Sequence, residues 1–459
     1  MWARAGRRVV EADVAVVGGG LVGAAVARAL QALPLTAGLR VAVVDPAAAP
    51  LPPPGEAAPA APEVPDARVS TLTPASEGFL RRLGAWEAVA PGAAAFGAMQ
   101  VWDTPGRGVV RYEARAVGAA ALGHVAENAR VQAALLAALR AGPEVELVRG
   151  AVRTLAYPGQ EPAAAATEAA APHRAVLGLE DGTEVRAKLV VGADGARSEV
   201  RRLAGIRSAG WGYGQRAVVA TVATAPADRA HGTAWQRFLP TGPLALLPVR
   251  DGFSNVVWST TPAEARRLEG AGPRGFAEAV NAALRGREGR GGGASSAAGP
   301  GPWRLLSRGG DRFVEPPECE AVAGPAPPRS FPLQLNHALT YVRPRVVLVG
   351  DAAHSVHPLA GQGVNLGFAD AECLARTLAE AVEVGGEIGS PEVLGRYEAE
   401  RRAENVGMAA ALDGLKRVFA WQSAPLALAR NLGLAAVNGV GPVKDLIMRY
   451  AMGSGSLRA

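Results

Sequence analysis

"ADVAVVGGGLVGAAVARAL" (residues 12–30) joins an apolar run to a glycine-rich turn and then to a stretch of small residues. Four of the five residues from Val14 to Gly18 are apolar, the pattern of a parallel strand buried on both faces, and the residues that follow suit a closely packed helix. Gly18, Gly20 and Gly23 stand at the spacing G-x-G-x-x-G. Between a strand and a helix, those positions serve a tight turn, a close backbone approach to a pyrophosphate, and close packing of helix on strand. The helix N-terminus then offers amides and positive dipole to the phosphate. Asp45 closes the next apolar run, "RVAVVDP", 27 residues after Gly18, and suits a ribose hydroxyl; the segment "LPLTAGL" lengthens the interval beyond the usual spacing of about 20. This predicts a dinucleotide-binding α/β fold and leaves NAD and FAD equally open.

Two later segments repeat the theme. "LVVGADGARSEVRRLAGI" (189–206) carries a strand into Gly192, Asp194 and Gly195, and an Arg197/Arg201 pair then opens an amphipathic helix. "RVVLVGDAAHSVHPLAGQGVNLGFADA" (345–371) delivers Gly350 and Asp351 at the end of another apolar run. An aspartate at a strand's carboxyl end, before a glycine-rich approach to a helix, is placed to bind a ribityl hydroxyl while amides face phosphate or ring. His354 and His357 are three apart in a Gly/Pro loop without a carboxylate or cysteine pattern, which argues against a metal site.

With 459 residues the chain suits two domains built on a large core. Hydrophobic residues make up 49% and charged residues 20%, and mean hydropathy is +0.11. No run of about eighteen apolar residues escapes charges or breakers, so an integral membrane span is not expected. The nearest approach, residues 418–443, is interrupted by Pro425, Arg430 and three glycines, and fits a docked helix or a membrane-surface contact. Cys319 and Cys373 are far apart, which argues against a disulfide framework and a thiolate metal site and is compatible with a reducing compartment. The net charge of +6 suits an acidic partner or an anionic membrane surface, and an Arg-rich composition explains it equally well. No basic cluster interleaves with aromatics, so nucleic acid is not an expected partner. "MWARAGRRVV" has three arginines and no acid, as mitochondrial targeting segments do, but is short for one. Segments 46–66, 157–173 and 286–302 are biased to Ala, Pro and Gly and are expected as surface insertions.

The three glycine/aspartate motifs, in this order and so widely separated, resemble the flavoprotein aromatic hydroxylases with the para-hydroxybenzoate hydroxylase fold. Within them, "RVSTLTPASEGFLRRLGAWEAV" (68–89), "AWQRFLPTGPLALLPV" (234–249), "NVVWST" (255–260) and the late glycine/aspartate motif are similar to the ring hydroxylases of ubiquinone biosynthesis, the UbiH family. "GYGQRAVVATV" (212–222) and the length resemble the eukaryotic mitochondrial members that act at C5 of the ring.

The resemblance implies a Rossmann-like FAD-binding domain over 10–74, 118–207 and 343–398. It also implies an antiparallel-sheet substrate domain over 75–117 and 208–342, and a C-terminal helical segment over 399–459. FAD is the implied cofactor. Its implied contacts are Gly18, Gly20, Gly23, Asp45, Arg68, Gln132, Asp194, Gly350, Asp351, Pro358, Gly361, Gly363, Val364 and Asn365, the backbone from Pro358 to Asn365 running along the isoalloxazine. Arg68 read alone is a surface arginine, Gln132 a solvated helix-face residue, and Asp194 with Arg197 a local salt bridge. The implied reaction is hydroxylation of a 4-hydroxy-3-polyprenylbenzoate with O2 through a flavin C4a-hydroperoxide, since no side chain supplies electrophilic oxygen. Arg237 is a candidate for a substrate carboxylate, and no general base is assigned. Trp235, Phe238, Leu244, Leu246, Val257 and Trp258 suit a polyprenyl chain or, equally, core packing. The implied partners are a ferredoxin with its reductase and a biosynthetic complex, reached peripherally on the matrix side of the mitochondrial inner membrane, with 418–452 as docking surface or plain packing helices. Competing readings are a flavin-dependent prenyl reductase and a structural flavoprotein; an NAD dehydrogenase is disfavoured by the late glycine/aspartate motif.

Overall fold

The structure is a computed structural model that describes residues 8–47, 63–103, 109–159, 173–225, 232–250, 252–285, 313–357, 361–420 and 441–453. The greater part of the three expected insertions, and much of 418–452, lies outside the described residues.

The apolar run of the first motif forms the strand Val9–Val17, buried from Ala12 onward because sheet neighbours flank it on both edges and helices cover it. It pairs in parallel with Val41–Asp45 on one side and Glu184–Gly192 on the other, and the helix Leu21–Ala32 makes the crossover. Val145–Arg149 extends the sheet beyond Val41–Asp45, and Val346–Leu348 lies beyond Glu184–Gly192, both again parallel. Val342–Arg343 closes that edge antiparallel, and the antiparallel strands Ala175–Leu179 and Val152–Ala156 branch from Glu184–Gly192. The dominant apolar core packs this sheet against the helices Leu21–Ala32, Asn128–Ala141 and Gln362–Glu383.

A second sheet is antiparallel except where Thr233–Leu239 pairs in parallel with Ala98–Asp103. Its backbone is Ser208–Thr224, flanked by Arg329–Ala338 and Phe253–Thr260 and bulged between Gly212 and Arg216. The strand period of two gives its residues separate duties. Trp235, Leu244, Leu246, Val256 and Trp258 point at the helices Pro262–Glu269 and Gly272–Arg285 and form a core with Phe276, Val280 and Leu284. Phe238, on the opposite face, stacks on Phe419 at 3.8 Å between ring centroids. Five of the six aromatic and aliphatic residues suited to a prenyl chain are therefore core, four on the helix-covered face and Phe238 on the other.

The short strand His354–Ser355 pairs with Asn336 and His337, so the segment leaving the parallel sheet immediately joins the second sheet. Two long helices, Gln362–Glu383 and Pro391–Ala420, follow; the second is continuous through residues 398 and 399, where the sequence reading divides two segments. The α/β sheet, the separate largely antiparallel sheet and the C-terminal helices are the architecture expected from the sequence.

Candidate active site and cofactor crevice

Register aligns the carboxyl ends of the parallel strands. Val17 lies beside Gly192 and Val44, and Gly192 beside Leu348, so the turns at Gly18, Ala193 and Gly350 come together at one edge of the sheet. Gly18 has φ +104°, and a Cβ there would stand 2.4 Å from the Ala193 carbonyl oxygen. A Cβ on Gly23 would stand 1.8 Å from the Gly18 carbonyl oxygen, so the helix meets its own turn only through glycine. A Cβ on Gly20 would meet nothing within 4 Å; here the unpaired N-terminal amides of Leu21–Ala32 face open space suited to an anion. The intervening Gly19 is clamped twice. Asp45 Oδ2 accepts its N–H at 2.7 Å, and Gln132 Nε2 donates to its carbonyl at 2.8 Å.

The opposite wall is the N-terminus of Gln362–Glu383. Its cap, Gly361, has φ +63° and packs so that a Cβ would stand 2.9 Å from Thr71 Cβ, whereas a Cβ on Gly363 would meet nothing within 4 Å. Asn365 holds this end in place. Its Oδ1 accepts from the Thr73 N–H at 3.0 Å and the Ser76 hydroxyl at 2.7 Å, and its Nδ2 donates to the carbonyls of Thr71 at 2.8 Å and Gly361 at 3.1 Å. The Asn365 side chain is thus committed to the fold, and its part in any cofactor site runs through the backbone it fixes. Val364, beside it, is half-buried. Asp351 is exposed, and among the described residues its carboxylate has no hydrogen-bond partner. A free carboxylate, two open glycines and two helix N-termini converge here, a donor set that fits a dinucleotide with a polar linker and a flat ring.

Behind the crevice lies a buried network that sequence reading missed. The Asp370 carboxylate, 0% exposed, accepts from the Gly350 amide at 3.0 Å and pairs with His354 Nε2 at 2.6 Å. It also accepts from Arg401 Nε at 2.8 Å and Asn405 Nδ2 at 3.0 Å. Burial alone would raise its pKa; His354 and Arg401 reverse this and hold it well below the usual carboxylate range. Neighbouring His337 is pushed down to about 4, first by burial and then by His354 and Arg402, against the opposing pull of Asp370. Asp370 stands within the quoted motif and could have been singled out as its second acid. Arg401 lies in the charge-rich stretch "RYEAERRAENV", where nothing marks one arginine as buried.

The remaining sequence candidates take other places. Asp194 caps the short helix Glu199–Leu203, accepting from the Ser198 hydroxyl and from the Glu199 and Val200 amides. Arg201, rather than Arg197, ties this loop to the late motif by donating to the Ala352 carbonyl at 2.7 Å. Arg68 is 74% exposed and paired with Asp66 at 2.9 Å. Arg237 is buried on the helix-covered face of the second sheet, where Nη1 donates to the Ala283 and Leu284 carbonyls; the fold does not bring it to the crevice. Pro358 lies outside the described residues. His354 and His357 part company, one on Asp370 and the other against the Tyr213 ring. Among the described residues no group of three or more metal-ligating side chains gathers.

Comparison with known proteins agrees with this geometry. Residues 11–289 and 320–410 match the family described as FAD binding domain. The chain is 38% identical to the mitochondrial ubiquinone biosynthesis monooxygenase of Xenopus tropicalis over 96% of its length and 93% of the relative, and 37% identical to the human one over 96% and 92%. It is 35% identical to the 3-demethoxyubiquinol 3-hydroxylase of Escherichia coli over 96% of this chain and 98% of that one. The p-nitrophenol 4-monooxygenase of Pseudomonas putida shares the fold with a TM-score of 0.70 at 20% identity, over 98% of this chain and 100% of the other. Cofactor and reaction type follow: the protein is an FAD-dependent monooxygenase. The chain belongs to the FAD-binding family of ubiquinone biosynthesis ring hydroxylases.

Proposed function

We propose that the enzyme hydroxylates C5 of a 4-hydroxy-3-polyprenylbenzoate, with a ferredoxin and its reductase delivering electrons, inside a biosynthetic complex on the matrix face of the mitochondrial inner membrane. The observation that carries the reading is the convergence of Gly20, Asp351 and Gly363, all open, at the strand ends of a chain more than a third identical to ubiquinone biosynthesis monooxygenases. Segments 10–74, 118–207 and 343–398 hold the cofactor, and 75–117 with 208–342 hold the substrate.

Gly18, Gly20 and Gly23 bring backbone amides to the pyrophosphate, and Asp45, held beside Gly19, takes the ribose. Asp351 takes a ribityl hydroxyl. The turn through Gly361 and Gly363 to Val364 lies along the ring, and the dipole of Gln362–Glu383 favours negative charge gathering there. Gln132, Asp194 and Asn365 act by bracing these turns, Gly350 by the tight exit from its strand, and Arg68 by swinging from Asp66 toward phosphate. Bound FAD supplies the activated oxygen that no side chain can. The protein's own tasks are to exclude water and to hold the ring carbon within reach.

Among the described residues no helix is long and apolar enough to cross a membrane. Leu415, Val418 and Ile447 are exposed on the two helices that bracket 421–440, and support a peripheral contact there. Turnover of a short-chain 4-hydroxy-3-prenylbenzoate by the FAD-loaded protein, ferredoxin and reductase, with the product read by NMR, tests the assignment. A hydroxyl at C5 supports it; a product oxygenated at another position or a reduced prenyl chain overturns it.

A further inference from the structure

His357 is 1% exposed, and among the described residues neither Nδ1 nor Nε2 has a hydrogen-bond partner. A neutral imidazole carries one donor and one acceptor, and leaving buried polar groups unmade is costly, so such a pair calls for an explanation. Its neighbours do not supply one. The ring meets Tyr213 edge-on, 5.0 Å between centroids at 73°, and the Tyr213 hydroxyl is already given to Asp413 Oδ1 at 3.2 Å. Asp413 Oδ2 is taken by Arg417 at 2.6 Å, and the Lys416 ammonium sits 4.0 Å over the Tyr213 ring. Val356, one residue earlier, packs into the cluster of Phe238, Leu412 and Phe419.

The position of the ring is as informative as its two nitrogens. His357 lies between the strand His354–Ser355, which joins the second sheet, and Gly361, which opens the helix facing the crevice. The cofactor wall, the strand Ser208–Thr224 and the helix Pro391–Ala420 therefore meet at this imidazole. A phenol held between the crevice and the second sheet would offer, at this junction, the hydroxyl for which the imidazole shows no partner among the described residues.

We propose that His357 contacts the substrate directly, its neutral ring accepting the hydrogen bond of the phenolic hydroxyl and so orienting the adjacent ring carbon, with Tyr213, Asp413 and Lys416 as positioning residues. The inference rests on the reading of the site as a phenol hydroxylase. Burial first, and then the Lys416 ammonium, pushes the His357 pKa down to about 4, with Asp413 pulling the other way, so the ring is neutral and able to accept at physiological pH. A site built around a hydroxyl discriminates against the analogue that lacks it.

The test is binding of 4-hydroxy-3-prenylbenzoate and of its 4-deoxy counterpart, 3-prenylbenzoate, to the FAD-loaded protein, read by flavin absorbance, with FAD content measured alongside. The expected ratio of dissociation constants is about tenfold in favour of the phenol for the natural protein, one hydrogen bond's worth. It should collapse toward one in His357→Leu at unchanged FAD content, and be partly retained in His357→Gln. A ratio in His357→Leu equal to that of the natural protein overturns the assignment and leaves the imidazole to an internal water. If His357→Leu fails to hold FAD, His357→Phe keeps a flat ring against Tyr213 and carries the same comparison. Failure of the natural protein to bind either compound overturns the phenol hydroxylase reading itself, and the role of His357 with it.

Discussion

Asp370→Asn should loosen the crevice from behind. The carboxylate is fully buried and serves four groups, Gly350, His354, Arg401 and Asn405, through two oxygens. An amide in its place sets an NH2 group against existing donors in either orientation and leaves the Arg401 guanidinium, 4% exposed, without its buried counter-charge. Breaking one side of a buried pair costs about 3–5 kcal/mol. Arg401 also reaches Glu404, whose side chain is half exposed, so the lower figure of about 3 kcal/mol applies. Because the Gly350 amide loses its acceptor as well, FAD affinity should fall together with stability. Urea unfolding of the apo-protein gives the first quantity and flavin titration the second. A second substitution at the partner, Arg401→Met, should return part of the loss, as removing both charges is cheaper than removing one. The acid limb carries a sign. With a folded pKa below its unfolded value of about 3.9, Asp370 contributes stability that is present above about pH 4 and lost as pH falls further, and Asp370→Asn should flatten that limb. A destabilisation under ~1 kcal/mol, or an unchanged acid limb, would refute the reasoning.

Asp351→Ala should weaken FAD binding by about ten- to a hundredfold, the value of a hydrogen bond to a charged group, and leave apo-protein melting unchanged; tight stoichiometric flavin in that variant contradicts its role. Gly20→Val and Gly363→Val, whose Cβ atoms enter open space, should fold and lose FAD, whereas Gly23→Ala, clashing at 1.8 Å, should already destabilise the apo-protein; thermal melts with and without FAD separate the two classes. Gln132→Leu should cost the fold only about 1 kcal/mol yet raise the FAD dissociation constant, because the freed carbonyl belongs to Gly19. His337 and His357, both held neutral with pKa values of about 4, favour the folded state above the ordinary histidine pKa of about 6.5. That advantage is lost as pH falls from there toward 4, and a urea midpoint indifferent to pH over this interval would contradict it.

What could be read from the sequence follows the range of the interactions. The glycine spacing is a local demand of turn, phosphate and helix packing, so Gly18, Gly20 and Gly23 stand where their types imply. Gln132 gave no such signal, since its partner Gly19 is 113 residues away, and it turns out to brace the turn rather than to face solvent. Asp194 looked like a ligand group and is a helix cap, because a short carboxylate before Ser198 and Glu199 finds their groups first. Arg237 was ambiguous for a different reason. The strand alternates, and one residue decides between crevice and core; the apolar residues on either side did not reveal which face the helix Gly272–Arg285 would cover. Asp370, Arg401 and Asn405 depend on two helices packing, which no spacing within one segment records.

The most direct measurement is turnover under isotopically labelled dioxygen, with the FAD-loaded protein, a 4-hydroxy-3-prenylbenzoate, ferredoxin and its reductase. One labelled oxygen atom in the ring hydroxyl, at C5, is the expected result. A hydroxyl carrying oxygen from water, or flavin oxidation without any ring oxygenation, would contradict a crevice built to deliver dioxygen's oxygen to a phenol.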